Sequence, residues 1–239
     1  MSKALLYALV AAAGNVLGAL AVTRRAALEL KLIEHFLAFG AGFMLSVAMI
    51  ELLPAAFSRS GSIAPALVLG GYLAVHFTQH TLTPHFHFGE ETHPISPIAG
   101  TSALVGLLLH TFFDGVAIAS AFLVRPELGV MVFLAIFLHK LPEGVTISSI
   151  MMAGGSTGSR AVTAAAFLGL ATLAGVVVTD AVAFLVQHGL AISAGVTIYV
   201  AASNLVPEFQ GKRGWSLPVA FFTGAMVFFV TKMLLDAAS

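Results

Sequence analysis

Eight apolar runs, each long enough to cross a lipid bilayer, fix the class of fold open to this chain. They are 4–22, 34–57, 63–82, 98–123, 128–152, 160–187, 190–209 and 216–235, and a helical crossing needs about 20 predominantly apolar residues. The breaks between them carry turn and charge signals: Thr23, Arg24 and Arg25; Ser58, Arg59, Ser60 and Gly61; the stretch 83–97; Arg125, Pro126 and Glu127; 154–159; His188 and Gly189; and 210–214. The runs do not alternate with period two, so a closed β-barrel is excluded. Backbone polar groups in hydrocarbon have to be bonded internally, which leaves an α-helical bundle. The expected fold is an all-α integral membrane protein of eight transmembrane helices, a single transmembrane domain over 1–239. A soluble alternative fails on composition: 9% of the residues are charged and 59% hydrophobic, against roughly 25% charged in soluble domains. The first run lacks a small-residue cleavage site and reads as a first transmembrane helix rather than a removed signal.

Ionisable residues inside such runs are costly and mark function by default. One pattern occurs twice, 29 positions apart: His110, Asp114 and Gly115, then His139, Glu143 and Gly144. A histidine and a carboxylate four apart lie on the same helix face. Two such pairs on adjacent helices can surround a divalent cation, and imidazole with carboxylate suits zinc and related ions. For a lone histidine the ordinary explanation is a polar residue bonded to a neighbouring helix. Four residues in two parallel pairs favour a metal site. The chain has no cysteine, so disulfides and thiolate sites are excluded. Its formal net charge is zero, without the basic footprint of a nucleic-acid partner.

Other intramembrane polar residues surround this core. Lys140 points about 100° away from His139 around the helix, and is expected to neutralise an acid such as Asp180 rather than snorkel to an interface. Glu51 and Asp180 are candidates to ligate, to pair with Lys140 or to hold a proton. Met44 offers a weak thioether, although a core methionine is the ordinary case. Asn204 offers a carbonyl oxygen along a path. Pro142 removes the helix bond to the Leu138 carbonyl and is expected to kink its helix. The stretch from His76 to His93 holds five of the nine histidines (His76, His80, His85, His87 and His93) with Glu90 and Glu91. Such a composition reads as a loose metal-capture loop, centred on 83–97.

A longer repeat is visible at an offset of 153 positions. Gly42, Val47, Ala48, Leu52 and Pro54 match Gly195, Val200, Ala201, Leu205 and Pro207, and Glu51 matches Asn204. Spans 1–3 and 6–8 are then expected to form an inverted repeat around spans 4 and 5, an arrangement that places binding near the membrane midplane. Arg24, Arg25, Lys31, Arg160, Lys212 and Arg213 fall on one side, and Lys3, Arg59 and Arg125 on the other. The richer side is expected to be cytoplasmic, which puts both termini outside and the histidine-rich loop inside.

With these residues in view, the chain resembles the ZIP (Zrt-/Irt-like protein) family of divalent-metal transporters, prokaryotic type. His110 to Gly115 is similar to that family's span-four signature, and His139, Lys140, Leu141, Pro142, Glu143 and Gly144 to its span-five signature. The resemblance implies a primary site of His110, Asp114, His139, Glu143 and Met44. It implies a second adjacent site at Thr111, Lys140 and Asp180, where lysine departs from the family's ligand pattern and implies one transported metal. It also implies a homodimer in a cell membrane.

The expected function is uptake of a divalent cation, zinc foremost with iron(II), manganese, cobalt and cadmium as substrates of the same ligand class, into the cytoplasm by alternating access. Metal is expected to enter past Glu51 and Asn204 and to leave towards the histidine-rich loop. An intramembrane zinc hydrolase is the rival class. It requires an open coordination position and a general base, and His-Glu-x-x-His is absent, so the chain is expected not to be an enzyme. An exporter shares the ligand chemistry and differs in flux direction.

Overall fold

The computed structural model describes residues 3–24, 30–81, 97–210 and 212–238. Apart from short turns these are helical, with no strand among them. The helices are α1 (Lys3–Thr23), α2 (Leu30–Val47), α3 (Leu53–Ser60), α4 (Ala64–Thr81), α5 (Pro97–Val124), α6 (Pro126–Ala153), α7 (Gly158–Ala181), α8 (Ala183–Ile198), α9 (Pro207–Gln210) and α10 (Ser216–Ala238). Seven helical stretches are long and apolar enough to cross a membrane. One of them, Lys31–Gln79, has 49 residues. Straight, it would be about 74 Å long, against a hydrocarbon core of about 30 Å. It is not straight: Gly61 has φ 59°, a left-handed conformation that only glycine adopts without strain, and α3 ends there.

Local chemistry sets the other ends. Pro126 opens α6, where its missing N–H costs nothing. Gly155, at φ 83°, follows the end of α6, and the Thr157 side chain accepts from the Arg160 backbone N–H at 3.4 Å to cap α7. Between α7 and α8 the helix breaks at Val182, in extended backbone, and not at His188 and Gly189 as the sequence suggested. Gly189 is an interior packing position: a Cβ there would come within 2.6 Å of Ser120 Oγ on α5. Glycine at 189 serves close approach rather than a turn.

Two wide turns interrupt the long helices. Ala48–Leu52 follows α2 and Tyr199–Leu205 follows α8, both π-helical. In each the bond spans five residues, from Leu53 N–H to the Ala48 carbonyl and from Val206 N–H to the Ala201 carbonyl. Each turn precedes a proline, Pro54 or Pro207, that lacks the N–H of the next helical bond and whose ring would crowd the carbonyl four residues back. Widening the turn relieves that crowding. Pro142, in contrast, lies within a continuous α6.

Glycines set which helices touch. A Cβ on Gly42 would overlap the Phe221 carbonyl of α10, and one on Gly224 the Phe39 carbonyl of α2. In the same way Gly195 meets the Val68 carbonyl of α4, and Gly71 the Ile192 carbonyl of α8. Each contact of the first pair becomes one of the second when positions are moved by 153. Around the histidine motifs Gly18 meets the Leu141 carbonyl and Gly144 the Asn15 carbonyl, while Gly175 meets that of Phe112 and Gly115 that of Thr172. Small residues let membrane helices approach this closely. The result is one set, α1, α5, α6 and α7, beside a second, α2, α4, α8 and α10.

Candidate metal centre

His110 and His139 sit close to the midpoints of two 28-residue helices, α5 and α6, which pack together. Each lies roughly 20 Å of helix from either end. Asp114 and Glu143 follow one turn later on the same faces, and one ligand atom from each of the four residues can be chosen so that all lie within 4.8 Å of one another. All four are buried. The pairs cross between helices: His110 Nε2 is 3.2 Å from Glu143 Oε1, and His139 Nε2 is 3.4 Å from Asp114 Oδ2. Four ligands around zinc at its usual bond lengths stand about 3.3 Å apart, so the cluster needs only a small contraction to close on such an ion. His139 Nδ1 faces the Ala135 carbonyl at 3.2 Å. A proton on that nitrogen leaves the Nε2 lone pair aimed at the centre.

Lys140 is wholly buried within the same constellation. Its Nζ is 2.7 Å from Asp114 Oδ2 and 2.6 Å from Glu143 Oε2. This corrects the expected pairing with Asp180, which is exposed near the end of α7. The stem of the lysine carries the ammonium back to the acids even though its Cα points away from them. Gly14 of α1 makes room, since a Cβ there would stand 3.1 Å from the Lys140 Cβ. Thr111 Oγ1 lies 2.7 Å from Glu143 Oε1 and 2.7 Å from the Leu107 carbonyl. Thr111 and Lys140 thus both touch the cluster, whereas Asp180 stands apart from it. Met44, on α2, is buried in the main core, and α2 also packs against α6.

Glu51 is engaged by cations of its own rather than by Lys140. It pairs with Lys232 of α10, and its Oε2 is 2.5 Å from Arg125 Nη2 in the α5–α6 turn. Asp236 joins at 3.5 Å from Arg125 and 3.3 Å from Lys232. Asn204 donates to Gln79 Oε1 at 2.8 Å. The Glu51–Lys232 and Asn204–Gln79 pairs again correspond at an offset of 153. Each member of the two pairs is thus held by a neighbouring helix or turn. Arg59, about 12 Å of helical path beyond Glu51, donates to the Val186 carbonyl, and Asn204 lies roughly 27 Å of helical path from Val186.

His76 and His80 lie on α4 rather than in a loop, and His76 stacks on Tyr72. His85, His87 and His93, with most of the stretch 83–97, lie outside the described residues. Sequence reasoning missed Asn15. It is completely buried in α1 with neither amide atom hydrogen bonded. A single amide inside an apolar run was the available signal.

A family model described as ZIP zinc transporter matches residues 89–232, more than half of the chain and including both histidine motifs. No curated protein matches it.

Proposed function

Because the chain belongs to the ZIP zinc transporter family, a family of divalent-metal transporters rather than enzymes, we propose that it takes up a divalent cation, zinc foremost, across a cell membrane into the cytoplasm by alternating access. The observation that carries this reading is the buried convergence of His110, Asp114, His139 and Glu143 halfway along two helices. An ion there is held by two imidazoles and two carboxylates, with the Met44 thioether as a fifth ligand. Iron(II), manganese, cobalt and cadmium suit the same donors.

Eight crossings account for the seven apolar stretches. Lys212, following α9, pairs with Glu34 at the start of α2 at 2.7 Å, while Arg59 at the end of α3 reaches the start of α8. One end of α2–α3 therefore lies with each end of α8–α9, and the chain returns through α4 after Gly61. The matched π-turns and glycine contacts support an inverted repeat, with α5 and α6 on its axis. The Lys and Arg count makes the Lys212 end cytoplasmic and leaves both termini outside. A homodimer, implied by the family resemblance, belongs to this reading too.

Lys140 acts as a resident cation in place of a second metal. Left beside a divalent ion about 3.5 Å away, its ammonium would be repelled by roughly 10 kcal/mol at an effective dielectric of about 20, so it has to leave the carboxylates when cargo binds. Replacing Lys140 by aspartate is expected to raise bound zinc from one to two ions per chain. Elemental analysis of the purified protein reads this directly, and unchanged stoichiometry would count against a resident ammonium.

The test of the function is flux into proteoliposomes loaded with a zinc-sensitive dye. Saturable zinc entry is expected. Tight zinc binding with no flux of zinc, iron(II), manganese or cadmium would favour a hydrolase or a sensor instead.

A further inference from the structure

We infer that Asn15 is the second berth of the Lys140 ammonium, the group that receives it when a divalent cation takes the two carboxylates. This rests on the reading of the four-residue cluster as the transport site.

Lys140 has no exposed surface. Its Nζ is held by Asp114 and Glu143, the oxygens an incoming cation would claim. Displacement therefore requires another buried acceptor within reach. An ammonium has three donors and needs only oxygen lone pairs. The helix facing the lysine is α1, where Gly14 stands against the Lys140 Cβ, and the next residue is Asn15. The Asn15 backbone abuts Gly144, one turn along α6 from Lys140 on the same face. A helical turn advances about 5.4 Å, close to the reach of an extended lysine side chain.

Two features on that face are otherwise unexplained. Asn15 is 0% exposed, yet both Oδ1 and Nδ2 lack a partner. Buried amides are almost always bonded, so an orphan of this kind calls for a role. Ser148, one turn beyond Gly144, is also 0% exposed and its Oγ has no partner. The column Lys140, Gly144, Ser148 thus runs from an occupied ammonium past a residue without a side chain to an unsatisfied hydroxyl, with the Asn15 backbone against its middle member. The asparagine is chemically apt. Its neutral oxygen binds an ammonium less strongly than a carboxylate does, so the lysine returns to Asp114 and Glu143 once the metal has left. An aspartate at position 15 would hold it.

Zinc titration calorimetry on the purified full chain tests this with Asn15→Leu, Lys140→Met and the double variant. Asn15→Leu is expected to weaken zinc binding at least tenfold, because the ammonium has nowhere to go. In the Lys140→Met background the same change should shift affinity less than twofold, since no ammonium remains to be moved. Asn15→Ala, which adds no bulk, gives the same comparison where the leucine variant does not fold. Equal weakening in both backgrounds, or wild-type affinity in Asn15→Leu, overturns the inference. Zinc binding without coupling between the two positions overturns it alone, whereas no zinc binding by the wild type removes the transport reading along with it.

Discussion

Glu143→Gln is expected to abolish saturable zinc uptake and to weaken zinc binding at least 100-fold. Glutamine keeps the shape, so the packing of α6 on α5 and α1 should survive. The electrostatics do not. Glu143 meets His110 and Thr111 through Oε1 and Lys140 through Oε2. With neutral imidazoles, the two carboxylates and the ammonium give the cluster a formal charge of −1, and the amide takes this to zero. The amide also presents two N–H donors where the wild type presents only acceptors, so one side of it faces either the ammonium or the threonine and histidine donors. Truncating one partner of a buried, hydrogen-bonded charge pair costs about 2–5 kcal/mol in binding, and about 3 kcal/mol is already a factor of roughly 100 in affinity. Calorimetry and dye flux, with thermal melting to show that the variant is folded, check the expectation. A folded Glu143→Gln protein that transports zinc at the wild-type rate would take the proposed path away from α5 and α6.

The sequence showed the centre more clearly than its surroundings, for a physical reason. A histidine and an acid four apart share a helix face whatever the rest of the fold does, so His110 with Asp114 and His139 with Glu143 could be paired before any tertiary contact was known. Lys140 could not be treated this way. Its long stem lets the ammonium end far from the direction of its Cα, and Asp114 and Glu143 claimed it instead of Asp180. Glu51 stood as a candidate to ligate, to pair with Lys140 or to hold a proton because its partners, Arg125 and Lys232, are 74 and 181 positions away. Gly189 failed differently. Glycine serves both as a turn residue and as a site of close approach, and only the presence of Ser120 opposite distinguishes the two. The offset of 153 positions was legible in five matched residues. Its content, paired π-turns and reciprocal glycine contacts, is tertiary.

Those glycine contacts carry the second large expectation. Gly195→Ala and Gly42→Ala should each destabilise the protein by about 3 kcal/mol or more, while Gly70→Ala should be neutral or slightly stabilising. A single methyl is added in all three cases. At Gly195 it would overlap the Val68 carbonyl, and at Gly42 the Phe221 carbonyl. Both obstacles are backbone, which cannot rotate aside as a side chain can, so the helices must separate along their length. Overpacking of this kind costs typically 1–3 kcal/mol where side chains can adjust, and rigid backbone puts these sites at the upper end or beyond. At Gly70 a Cβ meets nothing within 4 Å, and alanine gains about 1 kcal/mol of helix propensity over glycine. Thermal unfolding of the three detergent-purified variants separates the cases. Similar losses at positions 42 and 195 are expected because each closes an equivalent pair, α2 on α10 and α8 on α4. A Gly195→Ala protein as stable as Gly70→Ala would mean that these backbones do not approach so closely, and the correspondence between the two helix pairs would lose its main physical support.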